Sequence, residues 1–297
     1  MEYSDRISGV FAALLTPRDS YGNVDLDSYR HQIFHLNRTA LAGYAVNGAT
    51  GEFPISTAKE LEDLLNATRE DAPDAQLLCG IGGGTLKSVL CHGRIAEAAN
   101  VSAVLLPMPA FFPYRQDDLL SFVSAVASDL DLPILLYNIP QFTSGLDIDT
   151  VLSLLEKHPN IVGIKDSSGS LEIVRTITAA RLPRARLIGN DSALASALNE
   201  KVCDGVISGV ACALPELMLS LYTAIEGSEQ FQQAEKLLNE FISQISVLPT
   251  PWGLKVASAL RGFSQETYPF PLSAQRQLEI AELRNWFKSW YQKTLTQ

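Results

Sequence analysis

The stretch Asn160-Ile161-Val162-Gly163-Ile164-Lys165-Asp166-Ser167-Ser168-Gly169 shows most clearly the pattern that decides the fold. A short β-branched run ends in a lysine, and a polar, glycine-containing turn follows it. A run of this length beside a turn predicts a buried β-strand. An ammonium group at the end of such a strand loses hydration, which favours the neutral amine, and a neutral amine attacks ketones. Lys165 is therefore a candidate Schiff-base nucleophile.

Runs of the same kind recur along the chain and alternate with longer stretches of helical periodicity. Continuous apolar strands between amphipathic helices indicate a parallel sheet that is covered on both faces. Eight such repeats predict a (β/α)8 TIM barrel, and an open doubly wound sheet is the alternative. The predicted strands are residues 7–15, 43–47, 76–81, 103–107, 133–138, 161–165, 186–189 and 205–208. Helices are predicted at 26–41, 58–69, 87–99, 116–130 and 171–181, with Thr57 and Glu60 forming a capping box at the second.

The pattern changes after residue 208. From Pro215 onward the chain has helical periodicity, with breaks at residues 248–251 and 268–271, where two prolines each interrupt the pattern. We therefore predict a barrel over residues 1–225 and a C-terminal helical extension, residues 226–297, packed on the barrel.

Composition and charge exclude several classes of protein. The net charge of −10 argues against nucleic-acid binding, which needs clustered Lys and Arg. No apolar run reaches the roughly 20 residues that span a bilayer, and the N-terminal residues lack a signal-peptide pattern, so we expect a cytoplasmic protein without a membrane segment. His31 and His35 have no acidic companion, and residues 80–84 lack the third glycine of a dinucleotide motif because position 85 is Thr85. We expect neither a metal nor a cofactor.

The polar residues at predicted strand ends are the candidates for chemistry, because function in this fold lies where strands end. The turn Gly48-Ala49-Thr50-Gly51 offers backbone N–H groups and the Thr50 hydroxyl to a carboxylate, or Thr50 caps the next helix. Tyr137 either transfers a proton or is a core tyrosine with a satisfied hydroxyl. For Lys165 the alternative role is a buried ion pair with Asp166.

Together these segments resemble the dihydrodipicolinate synthase and N-acetylneuraminate lyase superfamily. The resemblance covers almost the whole chain, and its matching segments are residues 9–17, 48–52, 137–140, 163–169, 189–191 and 205–208. It implies a TIM barrel with a C-terminal helical extension, a homo-oligomer (tetramer or dimer), and no metal or organic cofactor. It also implies a Schiff base between a barrel lysine and pyruvate or another 2-keto acid.

The resemblance assigns roles to five residues of this chain. It implies that Lys165 forms the Schiff base, that Tyr137 shuttles a proton, and that Thr50 holds the keto-acid carboxylate. It also implies that Gly189 and Ile207 line the pocket near the Schiff base.

Three substrate-binding positions depart from the synthase pattern. Ala49 replaces the first of two adjacent hydroxyl residues, and Phe111 stands where synthases have a tyrosine that reaches a neighbouring subunit's site. Phe142 replaces the arginine that binds the second substrate's carboxylate. We therefore predict a class I aldolase or lyase that cleaves or forms a C–C bond through a Lys165 enamine, acting on pyruvate or a 2-keto-3-deoxy sugar acid. Dihydrodipicolinate synthase (disfavoured by the three departures), a keto-deoxy sugar acid dehydratase and a non-catalytic ligand-binding homologue are the alternatives.

Overall fold

Eight parallel strands close into a barrel in sequence order, with β1 paired to β8. The computed structural model describes residues 7–294. The predicted TIM barrel is confirmed. The open-sheet alternative is wrong, because β1 pairs with β8 and the sheet has no free edge. The strands are β1 Gly9–Ala13, β2 Gly43–Val46, β3 Gln76–Gly80, β4 Ala103–Pro107, β5 Ile134–Asn138, β6 Ile161–Asp166, β7 Ala185–Ile188 and β8 Gly205–Ser208.

A helix follows each strand. These are α1 Leu26–Leu36, α2 Ala58–Asp71, α3 Leu86–Ala98, α4 Gln116–Asp129, α5 Ile148–Lys157, α6 Glu172–Ala179, α7 Leu194–Asn199 and α8 Pro215–Thr223. The capping box of Thr57 and Glu60 is confirmed at the start of α2. The first helix was predicted to reach residue 41 but ends at Leu36. The Thr39 hydroxyl donates a hydrogen bond to the Leu36 carbonyl at 2.6 Å, and this side-chain bond competes with the backbone bond that would continue the helix.

The apolar residues of the barrel form two layers, because successive side chains of a strand point to opposite faces. The outer layer packs the strands against the surrounding helices. The inner layer fills the barrel and includes Phe11, Leu105, Leu135, Leu187 and Ile207. Tyr137 belongs to the inner layer and is the second-to-last residue of β5, so the core itself positions this side chain.

Three more helices follow the barrel: α9 Glu229–Ile245, α10 Trp252–Leu260 and α11 Ala274–Thr294. The two predicted breaks fall between these helices, as expected. Stacking of Trp290 on Phe241, at 5.8 Å between ring centroids, packs α11 on α9. The division of the chain at residue 225 stays a prediction. Within residues 7–294, no helix combines the length and the apolar character that crossing a membrane requires.

Candidate active site

Lys165 and Tyr137 lie side by side at the mouth of the barrel. They are register partners on β6 and β5, and only 3% and 2% of their surfaces are exposed. Lys165 Nζ lies 4.2 Å from the centroid of the Tyr137 ring. A ring face, unlike a carboxylate, forms no ion pair with the amine. The two sequence candidates are thus brought together in one buried site.

The alternative roles for this pair do not match the geometry. Among the described residues, no carboxylate oxygen lies within 4.0 Å of Lys165 Nζ, so the ion pair with Asp166 is absent. Asp166 instead accepts hydrogen bonds from Asn138 Nδ2 at 3.1 Å and from the Ser168 N–H at 2.9 Å. The Tyr137 hydroxyl lines the cavity, and no residue from 7 to 294 satisfies it with a hydrogen bond. Both the amine and the phenol are available to a substrate.

The Thr50 turn forms the opposite side of the site. Asn47 and Glu52, with φ of 57° and 56°, bracket the turn in the left-handed region, which bends the backbone sharply after β2. Thr50 and Ala49 both line the cavity. Thr50 does not cap the next helix, because the cap of α2 is Thr57. The turn therefore presents a hydroxyl and backbone groups to a ligand.

A buried ion pair holds this turn in place, and sequence reasoning missed it. Lys255 Nζ on α10 lies 2.6 Å from Glu52 Oε2 and donates a second hydrogen bond to the Thr267 carbonyl at 2.9 Å. Both charged side chains are buried. The pair joins the residue that ends the Thr50 turn to the C-terminal extension.

Gly189 and Ile207 line the cavity beside the lysine, as the resemblance implies. A Cβ at Gly189 would lie 2.1 Å from Ser167 Oγ and 2.8 Å from Lys165 Cε. Such distances are far below van der Waals contact, so only glycine leaves room for the lysine stem. Ile207 on β8 is fully buried and forms part of the floor.

Asp191 is a functional candidate that sequence reasoning placed after the seventh strand without giving it a role. Its Oδ2 accepts a hydrogen bond from the Val210 N–H at 3.1 Å, whereas its buried Oδ1 has no partner among the described residues. Burial raises the pKa of this carboxyl, and the nearby Lys165 charge and hydrogen bonds oppose that rise. Ser167 Oγ, which is also buried and unpartnered, lines the same cavity. Both groups offer hydrogen bonds to a bound molecule.

The cavity has a volume of about 270 Å³, and one side of it comes from outside the barrel. We define the far wall as the apolar residues of the extension that line this cavity. They are Ile242, Ile245, Leu248, Pro249, Pro251 and Leu254. Sequence reasoning missed all six, because no local pattern shows that α9 and α10 close over the barrel mouth.

The two predicted phenylalanines have different positions. Phe142 lines the cavity at its rim and is 58% exposed. Phe111 is 92% exposed, has a left-handed φ of 78°, and does not line the cavity of its own chain. Its ring contacts Phe112 edge-on, at 4.9 Å between centroids. Its predicted contact with a neighbouring subunit's site stays a prediction.

Comparison with known proteins agrees with this geometry. Residues 6–286 match the model of the dihydrodipicolinate synthetase family. A 4-hydroxy-tetrahydrodipicolinate synthase of Methanospirillum hungatei is 32% identical over 222 residues, which is 73% of this chain and 76% of the relative.

Solved structures show the same likeness. The 4-hydroxy-tetrahydrodipicolinate synthase of Methylacidiphilum fumariolicum SolV superposes with a TM-score of 0.87 at 27% identity, covering 97% of this chain and 98% of that one. A Ruminococcus gnavus sialic acid aldolase, at 20% identity and a TM-score of 0.85, covers 98% and 100% of the two chains and shows the shared fold. The chain therefore belongs to the dihydrodipicolinate synthetase family and is an enzyme of that family's pyruvate-dependent lyase and aldolase class.

Proposed function

We propose that this enzyme forms a Schiff base through Lys165 and cleaves or forms a C–C bond of a 2-keto-3-deoxy sugar acid, with pyruvate as the keto-acid product or substrate. One observation carries the proposal. Lys165 is buried at the floor of a cavity, 4.2 Å from the Tyr137 ring and without a carboxylate partner within residues 7–294. An amine in this setting is poised for attack on a ketone.

The residues divide the first half of the reaction between them. The Thr50 hydroxyl and the turn's backbone N–H groups hold the substrate carboxylate. Lys165 Nζ attacks the C2 ketone, and loss of water gives a protonated imine. That imine accepts the electron pair of the C3–C4 bond as the bond breaks, which yields an enamine and an aldehyde. Protonation at C3 and hydrolysis of the imine release pyruvate and restore the amine.

Tyr137 transfers the proton of the C4 hydroxyl. Its phenol takes this proton when the bond breaks and returns it when the bond forms. The hydroxyl relay of synthases would involve positions 49 and 111, which are Ala49 and Phe111 here. No described residue hydrogen-bonds the Tyr137 hydroxyl, so the substrate carboxylate or water completes the proton path in this proposal.

The decisive experiment is reduction with borohydride in the presence of pyruvate, followed by peptide mapping. We expect a pyruvate adduct on Lys165. The variant Lys165→Met is the control and should give none. An intact enzyme that gives no Lys165 adduct would refute the Schiff-base proposal, and ligand binding that persists in Lys165→Met without any turnover would favour a non-catalytic homologue.

Synthase activity is the second candidate, because the M. hungatei and M. fumariolicum relatives carry that name. Phe142 argues against it, since a phenyl ring at the cavity rim cannot make the bidentate contact that an arginine makes with a carboxylate. We expect weak turnover of pyruvate with aspartate semialdehyde. Turnover matching that with 2-keto-3-deoxy sugar acids would favour the synthase, and loss of water from a keto-deoxy sugar diacid without pyruvate release would favour the dehydratase.

We also propose that the protein is a cytoplasmic homo-oligomer, a tetramer or a dimer. The exposed aromatic pair of Phe111 and Phe112 supports this, because large apolar side chains exposed together mark interaction surfaces. Light scattering after size exclusion should give a mass above that of one chain. Phe111→Ser should lower that mass, whereas the same substitution at the isolated exposed residue Ile225 should not.

A further inference from the structure

Glu52 closes the Thr50 turn with a backbone conformation that does not suit a glutamate. Its N–H donates to the Ala49 carbonyl at 3.0 Å, and its φ of 56° and ψ of 43° lie in the left-handed region. A residue with a Cβ is strained there, because the Cβ comes too close to a carbonyl oxygen, whereas glycine is not. The backbone alone would favour glycine at this position, so the compensation has to come from the Glu52 side chain.

The side chain of Glu52 is held by Lys255 of α10. Glu52 Oε2 accepts a hydrogen bond from Lys255 Nζ at 2.6 Å, and both side chains are buried. The ammonium donates a second hydrogen bond to the Thr267 carbonyl at 2.9 Å, and the Thr267 hydroxyl accepts one from the Arg18 N–H at 3.1 Å. Lys255 is therefore fixed on two sides, and it can hold the end of the Thr50 turn against its strain.

The residue before Lys255 borders the same turn inside the cavity. Gly209 has φ of −68° and ψ of −39°, a conformation open to any residue. A Cβ there would lie 3.0 Å from Leu254 Cδ1 and 3.3 Å from Thr50 Oγ1, so Leu254 and the Thr50 hydroxyl both lie close to Gly209. Consecutive residues of α10 thus meet the turn at two places.

The Thr50 hydroxyl depends on the turn for its position. No described residue forms a hydrogen bond with it, which leaves it available to a ligand but means that only the turn's backbone places it. The same backbone carries the N–H groups that the proposed function assigns to the substrate carboxylate. A shift at Glu52 would therefore move every donor of this carboxylate site together.

We propose that Lys255 is a positioning residue for the keto acid, because its ion pair with Glu52 holds the Thr50 turn in the shape that binds the carboxylate. Lys255 is not among the described residues that line the cavity, so it acts through the turn and does not touch the substrate. This inference rests on the proposed function. Loss of the pair should weaken binding of the keto acid and leave the reacting groups of Lys165 and Tyr137 in place.

Borohydride labelling at a series of pyruvate concentrations tests the proposal. The labelling rate gives a half-saturating pyruvate concentration and a maximal rate. Lys255→Met should raise the half-saturating concentration by about 10-fold, equivalent to about 1.4 kcal/mol, because a displaced turn loses about one hydrogen bond to the carboxylate. The maximal rate should change by less than about 2-fold, since a loss of binding alone raises KM without lowering kcat.

The matched control is a second ion pair of the barrel. Arg186 Nη2 lies 2.6 Å from Asp204 Oδ1, both side chains are partly buried, and neither lines the cavity. Arg186→Met should lower stability and leave the half-saturating concentration unchanged. The neutral double variant Glu52→Gln/Lys255→Met removes both buried charges, so it tests the proposal even if Lys255→Met does not fold, and it should show the same 10-fold rise.

A double-mutant cycle with Thr50→Ala shows whether Lys255 acts through the turn. In the Thr50→Ala background, Lys255→Met should raise the half-saturating concentration by less than about 3-fold, because residues that share one effect are not additive. A full 10-fold rise in that background would contradict the route through Thr50.

Three other results would overturn the proposal. One is an unchanged half-saturating concentration in folded Lys255 variants, and another is an equal rise in Arg186→Met. The third is a large fall in the maximal rate of Lys255→Met without a change in half-saturation. If the wild type itself gives no Lys165 adduct, the proposed function fails together with this inference, so the two failures are distinguishable.

Discussion

Two lysines of this protein are equally buried and have opposite surroundings. Lys165 and Lys255 are each 3% exposed. Lys255 Nζ lies 2.6 Å from Glu52 Oε2, whereas Lys165 Nζ has no carboxylate within 4.0 Å in the part of the chain that the structure describes. A tyrosine ring accompanies each lysine, Tyr137 at 4.2 Å from Lys165 and Tyr268 at 6.0 Å from Lys255.

The contrast shows that burial alone does not mark a reactive amine. Desolvation lowers the pKa of Lys255, but its pairing with Glu52 opposes this and engages the amine in structure. Lys165 has an aromatic face in place of a counter-ion and opens onto a cavity. We propose that the absence of a carboxylate partner distinguishes a reactive Lys165 from the structural Lys255.

Replacing each lysine by methionine should give the sharpest difference. Lys165→Met should lower kcat by on the order of 10⁴-fold or more, because removing a nucleophile abolishes the covalent route. The fold should remain, since no ion pair is broken. Steady-state pyruvate release and a thermal melt measure the two properties. Turnover near that of the wild type in Lys165→Met would show that the wrong lysine has been assigned.

Lys255→Met should instead destabilise the protein. It leaves Glu52 buried without its cation, and breaking a buried pair in this way costs about 3–5 kcal/mol. Urea unfolding measures the loss, and the double variant Glu52→Gln/Lys255→Met should recover part of it. A loss below about 1 kcal/mol would mean that the pair contributes no more than an exposed salt bridge.

The tyrosines beside the two lysines should also differ, because only Tyr137 is expected to affect kcat. Tyr137→Phe should lower kcat by on the order of 10²-fold, the lower end for loss of an acid–base group, while borohydride still traps pyruvate on Lys165. Tyr268→Phe is the matched control and should leave kcat unchanged, because the Tyr268 hydroxyl donates to Glu266 outside the cavity. Equal effects of the two changes would contradict a proton-transfer role for Tyr137.

The smallest effect concerns Asp191, the acid near Lys165. Asp191 has a pKa raised by burial, so the folded state bears the cost of its charge once the pH exceeds that pKa, and bears none below the unfolded value. Asp191→Asn should therefore stabilise the protein by about 1 kcal/mol near neutral pH, a gain that fades as the pH falls. The midpoints of urea unfolding at about pH 4 and about pH 7, measured for the wild type and the variant, test whether the gain in stability is smaller in acid. A gain that grows in acid would contradict it.

The sequence predicted the parts of this protein that depend on local pattern. Strand lengths and the alternation with helices led to the closed barrel, and the ends of consecutive strands placed Tyr137 beside Lys165. The adjacency follows from topology, since β5 and β6 are neighbours in a parallel barrel. The first helix was predicted too long, because the Thr39 hydroxyl bond to Leu36 leaves no mark on hydrophobic periodicity.

The parts that were missed depend on contacts between distant segments. Glu52 and Lys255 are 203 positions apart, and the helical pattern around Lys255 shows that it lies in a helix but not which charge it meets. The far wall was missed for the same reason. For Asp191 the strand end was visible, but an unpartnered carboxylate oxygen is a property of the assembled site.

The far wall also bears on how such enzymes diversify. Lys165 and Tyr137 lie on barrel strands, whereas the six residues of the far wall lie on α9, α10 and the link between them. One stretch of the C-terminal extension can therefore change the lining of the cavity without altering Lys165 or Tyr137. Recombination that exchanges this stretch between relatives would replace that lining as a unit, but it would also replace Lys255, the partner of Glu52 at the Thr50 turn.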